Sequence, residues 1–204
     1  SADREAESEA LVLSGRFAAA LGKRRDAVRR LEEAQALQLR LGLTAEAVHT
    51  AALIVIVQLE RGQPRAALAR GRDALQWADR LPPSAARQHA VLALATVEAS
   101  LGHVDAASML AAVNGDRPVP PHEKSARLLI DGLARLRAGD PETARGHLQE
   151  ACFLARRQAQ NVLETDGLLL LAEAYLDVRD EERALLALRR VRQIAESTGD
   201  AELL

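Results

Sequence analysis

The stretch "TAALIVIVQLERGQPRAAL", Thr50–Leu68, holds the branched run Ile54-Val55-Ile56-Val57 and then a polar turn before an alanine-rich segment. Intrinsic preference makes such a run a strand, while its hydropathy raises a membrane span and its surroundings a buried helix. The apolar stretch from Ala51 to Val57 covers seven residues, against the roughly twenty that a helix needs to cross a bilayer. β-Branching costs a helix about 0.5 kcal/mol or less per residue, whereas burying such a side chain returns about 1.5–3 kcal/mol. Burial therefore outweighs propensity, provided that the run sits where a helix is required.

That provision is met by an internal repeat. The turns "LGKRRDA", "RGQPRAA", "LGHVDAA", "AGDPETA" and "VRDEERA" place Gly22, Gly62, Gly102, Gly139 and Arg179 at spacings of 40, 40, 37 and 40 residues. Five residues after each lies an alanine: Ala27, Ala67, Ala107, Ala144 and Ala184. Seven residues before lie Gly15, Val55, Ala95, Gly132 and Ala172, four of them small, and nine after lie Leu31, Gly71, Ala111, Leu148 and Leu188. Two antiparallel helices joined by a tight turn need small residues on their facing sides, and glycine at the end of the first permits a left-handed cap. Each copy therefore reads as a helical hairpin. Pro64 and Pro141 fall where a first-turn proline loses no hydrogen bond, and Asp140 and Asp180 stand at capping positions.

The register predicts first helices near 3–21, 46–61, 84–101, 122–138 and 161–178, and second helices near 24–41, 64–81, 104–113, 141–159 and 181–197. One hairpin cannot bury its apolar face alone, so neighbours must stack through nearest-neighbour interfaces. The expected fold is all-α: about five hairpins, roughly 3–41, 46–81, 84–113, 122–159 and 161–197, in a single domain over 1–204. The shortened third spacing coincides with "AAVNGDRPVPPHEKSA", where Pro118, Pro120 and Pro121 stop a helix. Residues 114–121 read either as an irregular connection or as a hinge.

Composition agrees with helices. Hydrophobic residues make up 48% of the 204, but they are mostly Ala and Leu, with aromatics only 2%. A net charge of −2 gives no field to draw the chain to nucleic acid or to an anionic membrane. Cys152 is the single cysteine, which excludes an internal disulfide and fits a reducing, cytoplasmic setting. The start at Ser1, without Met or a signal sequence, reads as an excised piece of a larger protein.

In "GLLLLAEAYLDVRDEERALLALRRV" and "GLARLRAGDPETARGHLQEA" the residues Ala172, Tyr175, Ala184 and Leu188, and Gly132, Gly139, Ala144, Leu148 and Ala151, resemble the tetratricopeptide repeat pattern. The spacing near 40, longer than the usual 34 of that family, looks like the arrays of maltose-activator-type (MalT-like) bacterial transcription regulators. The resemblance implies a right-handed α-α superhelix whose first helices line a concave groove for a protein, peptide or small effector. Gly71, Asn114 and Arg179 depart from the pattern. Under the implied geometry the groove candidates are Glu9, Arg16, His49, Ile56, Leu59, His89, Thr96, Leu133, Asp166, Glu173 and Asp177. His49 and His89 would stack one repeat apart, and Asp166, Glu173 and Asp177 would form an acidic end. The same residues also read as ordinary solvent-facing helix positions.

No phosphate-binding loop, HExxH or histidine pair at i,i+4 spacing occurs, and no nucleophile stands beside a base. Cys152, next to the small-residue position Ala151, reads as a buried inert thiol. The arginine clusters, such as Arg24-Arg25 and Arg189-Arg190, alternate with acids and lack aromatics for stacking bases, so direct nucleic-acid binding is not expected. The expectation is a non-enzymatic binding module without a cofactor or metal, the sensor or scaffold part of a regulator. The alternative is a self-association module, a homo-oligomer with no ligand groove.

Overall fold

The computed structural model describes residues 2–82, 84–106, 109 and 121–198. Among them are nine α-helices and no strand: α1 Ala2–Ala20, α2 Arg24–Arg40, α3 Thr44–Glu60, α4 Pro64–Ala78, α5 Ala85–Ser100, α6 Pro121–Arg137, α7 Pro141–Arg157, α8 Asn161–Asp177 and α9 Glu181–Thr198. The chain falls into two compact units, Ser1–Val97 and Glu98–Leu204. Of the second helix expected in the third copy, 104–113, residues 107, 108 and 110–113 lie outside the described residues, as do residues 114–120 of the expected connection.

The branched run is helical. Within α3, Ile54, Val55 and Val57 are buried while Ile56 is 46% exposed. Ile54 and Val57 share one cluster with Ala18, Val28 and Leu31 of the first hairpin, and Val55 joins Ala67, Ala93 and Val97 in another. The helix is thus apolar on most of its circumference because it has neighbours on several sides.

Each hairpin turn is built by one backbone device. Gly22, Gly62, Gly102, Gly139 and Arg179 all adopt positive φ, from 61° to 82°. In every case the turn residue's N–H donates to the carbonyl three residues back, and the next N–H donates to the carbonyl five back, at 2.8–3.1 Å. This Schellman pattern closes the helix and reverses the chain. The connections between hairpins at Gly42 (φ 75°) and Ala159 (φ 53°) repeat the same two bonds, which the spacing of the hairpin turns does not predict. Pro64 and Pro141 open their helices, and Asp140 and Asp180 accept from the N–H of Thr143 and Arg183 at 3.1 Å.

Below each turn the helices touch through small residues. Ala27, Ala67 and Ala144 are fully buried and Ala184 is nearly so. A Cβ on Gly15 would lie 2.7 Å from Leu31 Cγ, and one on Gly132 would lie 2.5 Å from Leu148 Cγ, so hairpins one and four are joined in the same way. In the second copy the small residue sits on the other helix. Gly71 admits Leu94 of α5, which would stand 3.1 Å from an added Cβ. The expected larger residue at 71 is absent because the next hairpin fills its place.

Sequential packing runs through each unit, α1 on α2, α2 on α3 and α3 on α4 in the first, then α6 on α7, α7 on α8 and α8 on α9 in the second. Across the α2–α3 joint Gln35 Nε2 donates to the Ala47 carbonyl at 3.2 Å, and Cys152 Sγ meets the Glu164 carbonyl at 3.9 Å at the matching place of the α7–α8 joint. In the second unit Glu164, only 1% exposed, accepts from Arg156 Nε at 2.8 Å and Arg190 Nε at 2.9 Å. Tyr175 is buried beside α7 and α9, its hydroxyl accepting from Gln149 at 2.7 Å.

Gly132→Ala should lower stability by about 1–3 kcal/mol, since Leu148 must leave a close-packed site. Gly146→Ala, where an added Cβ meets nothing within 4 Å, should raise it by about 0.5–1 kcal/mol. Urea midpoints of the two variants check the pair, and equal shifts would deny the close approach.

Burial opposes ionisation of Glu164, but the hydrogen bonds from Arg190 and Arg156 outweigh it and hold its carboxyl below the usual 4.5. Because the folded value is the lower one, this stabilisation is present above pH 4.5 and is lost as pH falls through the folded value. Glu164→Gln should cost about 1–3 kcal/mol at neutral pH and flatten the acid limb of a stability–pH profile measured by urea unfolding.

Candidate functional site

Within the first unit the first helices α1, α3 and α5 stand along one cleft of about 480 Å³. Glu9, Val12 and Leu13 supply its α1 wall, Glu46, His49 and Thr50 its α3 wall, and Ala85, Ala86 and His89 its α5 wall. Gln38 reaches in from the end of α2. The small residues Ala45, Ala85 and Ala86 leave the space open, each lying near the start of a first helix.

The polar groups in this cleft are few and placed. Thr50 Oγ1 donates to Gln38 Oε1 at 2.8 Å, both side chains being buried, so the threonine is held by its own fold. His49 and His89 meet across the α3–α5 gap with Nδ1 atoms 3.0 Å apart and ring centroids 4.9 Å apart. A contact of this length between two imidazole nitrogens requires one donor and one acceptor, so at most one of the two rings carries a positive charge there. In the neutral pair one ring keeps an Nε2–H and the other an Nε2 lone pair, giving one further donor and one further acceptor. Burial, then the neighbouring His89, then Arg16 lower the pKa of His49 from 6.5. Glu9 and Glu46 add negative charge to the same cleft.

The structure brings three of the sequence candidates together here, Glu9, His49 and His89. Arg16 lies on the exposed side of α1, close enough to His49 to act on its charge. Ile56 is exposed further along α3, and half-buried Leu59 packs against the cluster that holds Val55 and Val97. Thr96 Oγ1 is turned back on its own helix, donating to the Leu92 carbonyl at 2.8 Å. In the second unit Leu133 is buried at 9% exposure. Glu173 is held by two hydrogen bonds from the Arg137 guanidinium. Asp166 and Asp177 are exposed on α8.

Leu13, Gln38, Glu46 and Thr50 do not stand out in the sequence. They lie off the four-position register of the first helices, and the pair Gln38–Thr50 carries a signal only once the α2–α3 turn at Gly42 is known. Elsewhere the structure offers little for catalysis. Cys152 is buried against Gly167 and α8, and desolvation followed by the nearby Glu164 pushes its thiol up to about 12, so it stays protonated at neutral pH. Among the described residues no three His, Cys, Asp or Glu side chains are grouped to hold a metal ion, and no helix is long and apolar enough to cross a membrane. The arginine clusters are engaged with acids: Arg24 with Glu60 at 3.1 Å, Arg29 with Glu33 at 2.8 Å, and Arg156 and Arg190 with Glu164.

No family model matches the chain, and no curated protein does. Solved structures do. A thermophilic TPR protein of Thermus thermophilus is similar with a TM-score of 0.68 and 18% identity, over 96% of this chain and 94% of that one. The nearly identical TPR-like repeats of a protein described as a Podosopora anserina kinesin light chain are similar with a TM-score of 0.60 and 16% identity, over 97% of this chain and 99% of that one. A glutamine-to-methionine form of the same repeats gives 0.61 and 16%, over 97% and 98%. At such identities the likeness is one of fold: this chain has the stacked helical hairpins that its glycine spacing predicts, in the TPR-like arrangement that the resemblance of its repeats implies.

Proposed function

We propose that the chain is a non-catalytic binding module and that the cleft between α1, α3 and α5 receives a short amphipathic segment of a partner protein, an apolar anchor followed by a basic group. The observation that carries this reading is the cleft itself. It is mostly apolar, it is walled by Ala45, Ala85 and Ala86 so that a side chain can enter, and its charged or titratable groups are a histidine pair and two glutamates. Sites of this kind take an anchor by shape and orient it through a few polar contacts. A small apolar effector with a cationic group satisfies the same chemistry. The repeat length near 40 supports a place as the sensor or scaffold part of a bacterial transcription regulator, which the proposal adopts as its setting.

Panning a displayed peptide library against the folded chain tests the site. Selected peptides should combine a large apolar residue with Lys or Arg, and Ala85→Arg should weaken them about tenfold or more by filling the cleft and repelling the cation. Ala85 is exposed, so helix content by circular dichroism should stay unchanged. Selected peptides that bind Ala85→Arg as well as the parent chain would place the site elsewhere.

The pH dependence has a definite sign. The lowered pKa of His49 means that the folded cleft favours the neutral ring, so acidification below about 6.5 adds positive charge to the pair against that preference. Affinity for a cationic peptide should therefore fall as pH drops below about 6.5, where His49 begins to charge. His49→Gln together with His89→Gln should remove most of that fall in fluorescence-anisotropy titrations; an unaltered slope would exclude the pair as its origin.

A further inference from the structure

Helix α1 has a second apolar face, opposite the one that it buries. Ser8, Gly15 and Ala18 are buried on its inner side, with Val12 and Ala19 packed against the same core. On the outer side Ala6, Ala10, Leu13, Phe17 and Leu21 are all exposed, with Leu13 at 54%, Phe17 at 71% and Leu21 at 66%. Their spacings of four, three, four and four residues line them up as one seam on an α-helix. The repeat register shows what such a face ordinarily meets. The counterparts of Phe17 in the other copies are Val57, Val97, Ala134 and Ala174, all at most 5% exposed, and Val57 lies in a cluster with Val28 and Leu31 of the hairpin before it.

We infer that this seam is a homotypic interface in which α1 of a second copy packs antiparallel on α1. Three features of the helix fit a copy of itself. Ala10 and Phe17, like Ala6 and Leu21, are equidistant from a point between Leu13 and Ser14. A two-fold axis through that point therefore sets each large side chain against a small one and brings the two Leu13 side chains together. The charges are likewise self-complementary. The first half of α1 carries Asp3, Glu5, Glu7 and Glu9 against one Arg4, while Arg16 and, past the helix end, Lys23 stand at the other end. Glu9 and Arg16 lie on the same flank of the seam, seven residues apart, so antiparallel pairing sets the Glu9 of each copy beside the Arg16 of the other, twice. A parallel pair would instead place like charges together.

One helix per copy buries less than a standard-sized interface of about 1,600 Å², so the association is concentration-dependent. Sedimentation equilibrium of the whole chain over a wide concentration series should show a monomer–dimer equilibrium. Phe17→Glu should weaken it about tenfold or more, with helix content unchanged because Phe17 is 71% exposed. Glu9→Arg and Arg16→Glu should each weaken it, and the double variant should restore it, an outcome that a non-specific apolar contact would not give. A chain that is monomeric at every concentration overturns the proposal, as does a dimer indifferent to Phe17→Glu or a charge swap without rescue. Glu9 and Leu13 belong to both the seam and the cleft wall, whereas Phe17 does not line the cleft and Ala85 is off the seam, so Phe17→Glu read by sedimentation and Ala85→Arg read by peptide binding separate failure of this interface from failure of the peptide-binding reading.

Discussion

Each hairpin whose two helices are among the described residues depends on the residue that ends its first helix in the left-handed region. The two reverse hydrogen bonds that follow from its positive φ fix the exit direction of the chain. With that direction fixed, the alanine five residues on falls against the end of the first helix, and the two axes close to a distance that only small side chains permit. At Gly15 and Gly132 the approach is close enough that even a methyl group would collide with the leucine opposite. Within each unit the apolar faces then close on those of the neighbouring hairpin. Arg179 shows the strength of this constraint. It adopts φ 61° without the freedom of glycine, at a cost of about 1–2 kcal/mol, and the surrounding hairpin holds it there.

How far the structure is legible in the sequence follows from the same device. The glycine turns, the alanines behind them, the prolines at helix starts and the aspartate caps are local chemistry, and they place helix ends to within a few residues. The branched run of α3 is legible only through the register, since its own preferences point to a strand. Ala159 is hidden because nothing in its side chain favours a left-handed turn; the packing on either side imposes it. Gly42 is hidden for the opposite reason, as a glycine that falls outside the spacing of the hairpin turns.

The candidate site is legible in part. His49 and His89 can be paired from their 40-residue separation, and they do meet, because equal offsets from equal turns bring equivalent positions of successive first helices side by side. The depth of a position is not readable in this way. Ile56 and Leu133 share one register position, yet one is half exposed and the other buried. Offset from the turn fixes a residue's direction relative to its own hairpin, whereas its exposure is decided by what the neighbouring hairpins cover. Gln38 and Thr50 are concealed for a related reason: their bond spans a joint between hairpins, and a register built within hairpins does not see it.

The exchanged roles at Gly71 and Leu94 bear on how such an array can change over time. Hairpins one and four carry the same glycine–leucine joint, so in each of them the close contact is completed within the hairpin itself. The second hairpin lacks that independence, because the gap at Gly71 is filled by a leucine belonging to the hairpin that follows. Deleting, inserting or transposing a unit between them would leave a hole on one side and a clash on the other. The array is therefore modular in its outline but locked at that joint, and the second and third hairpins are expected to be inherited together.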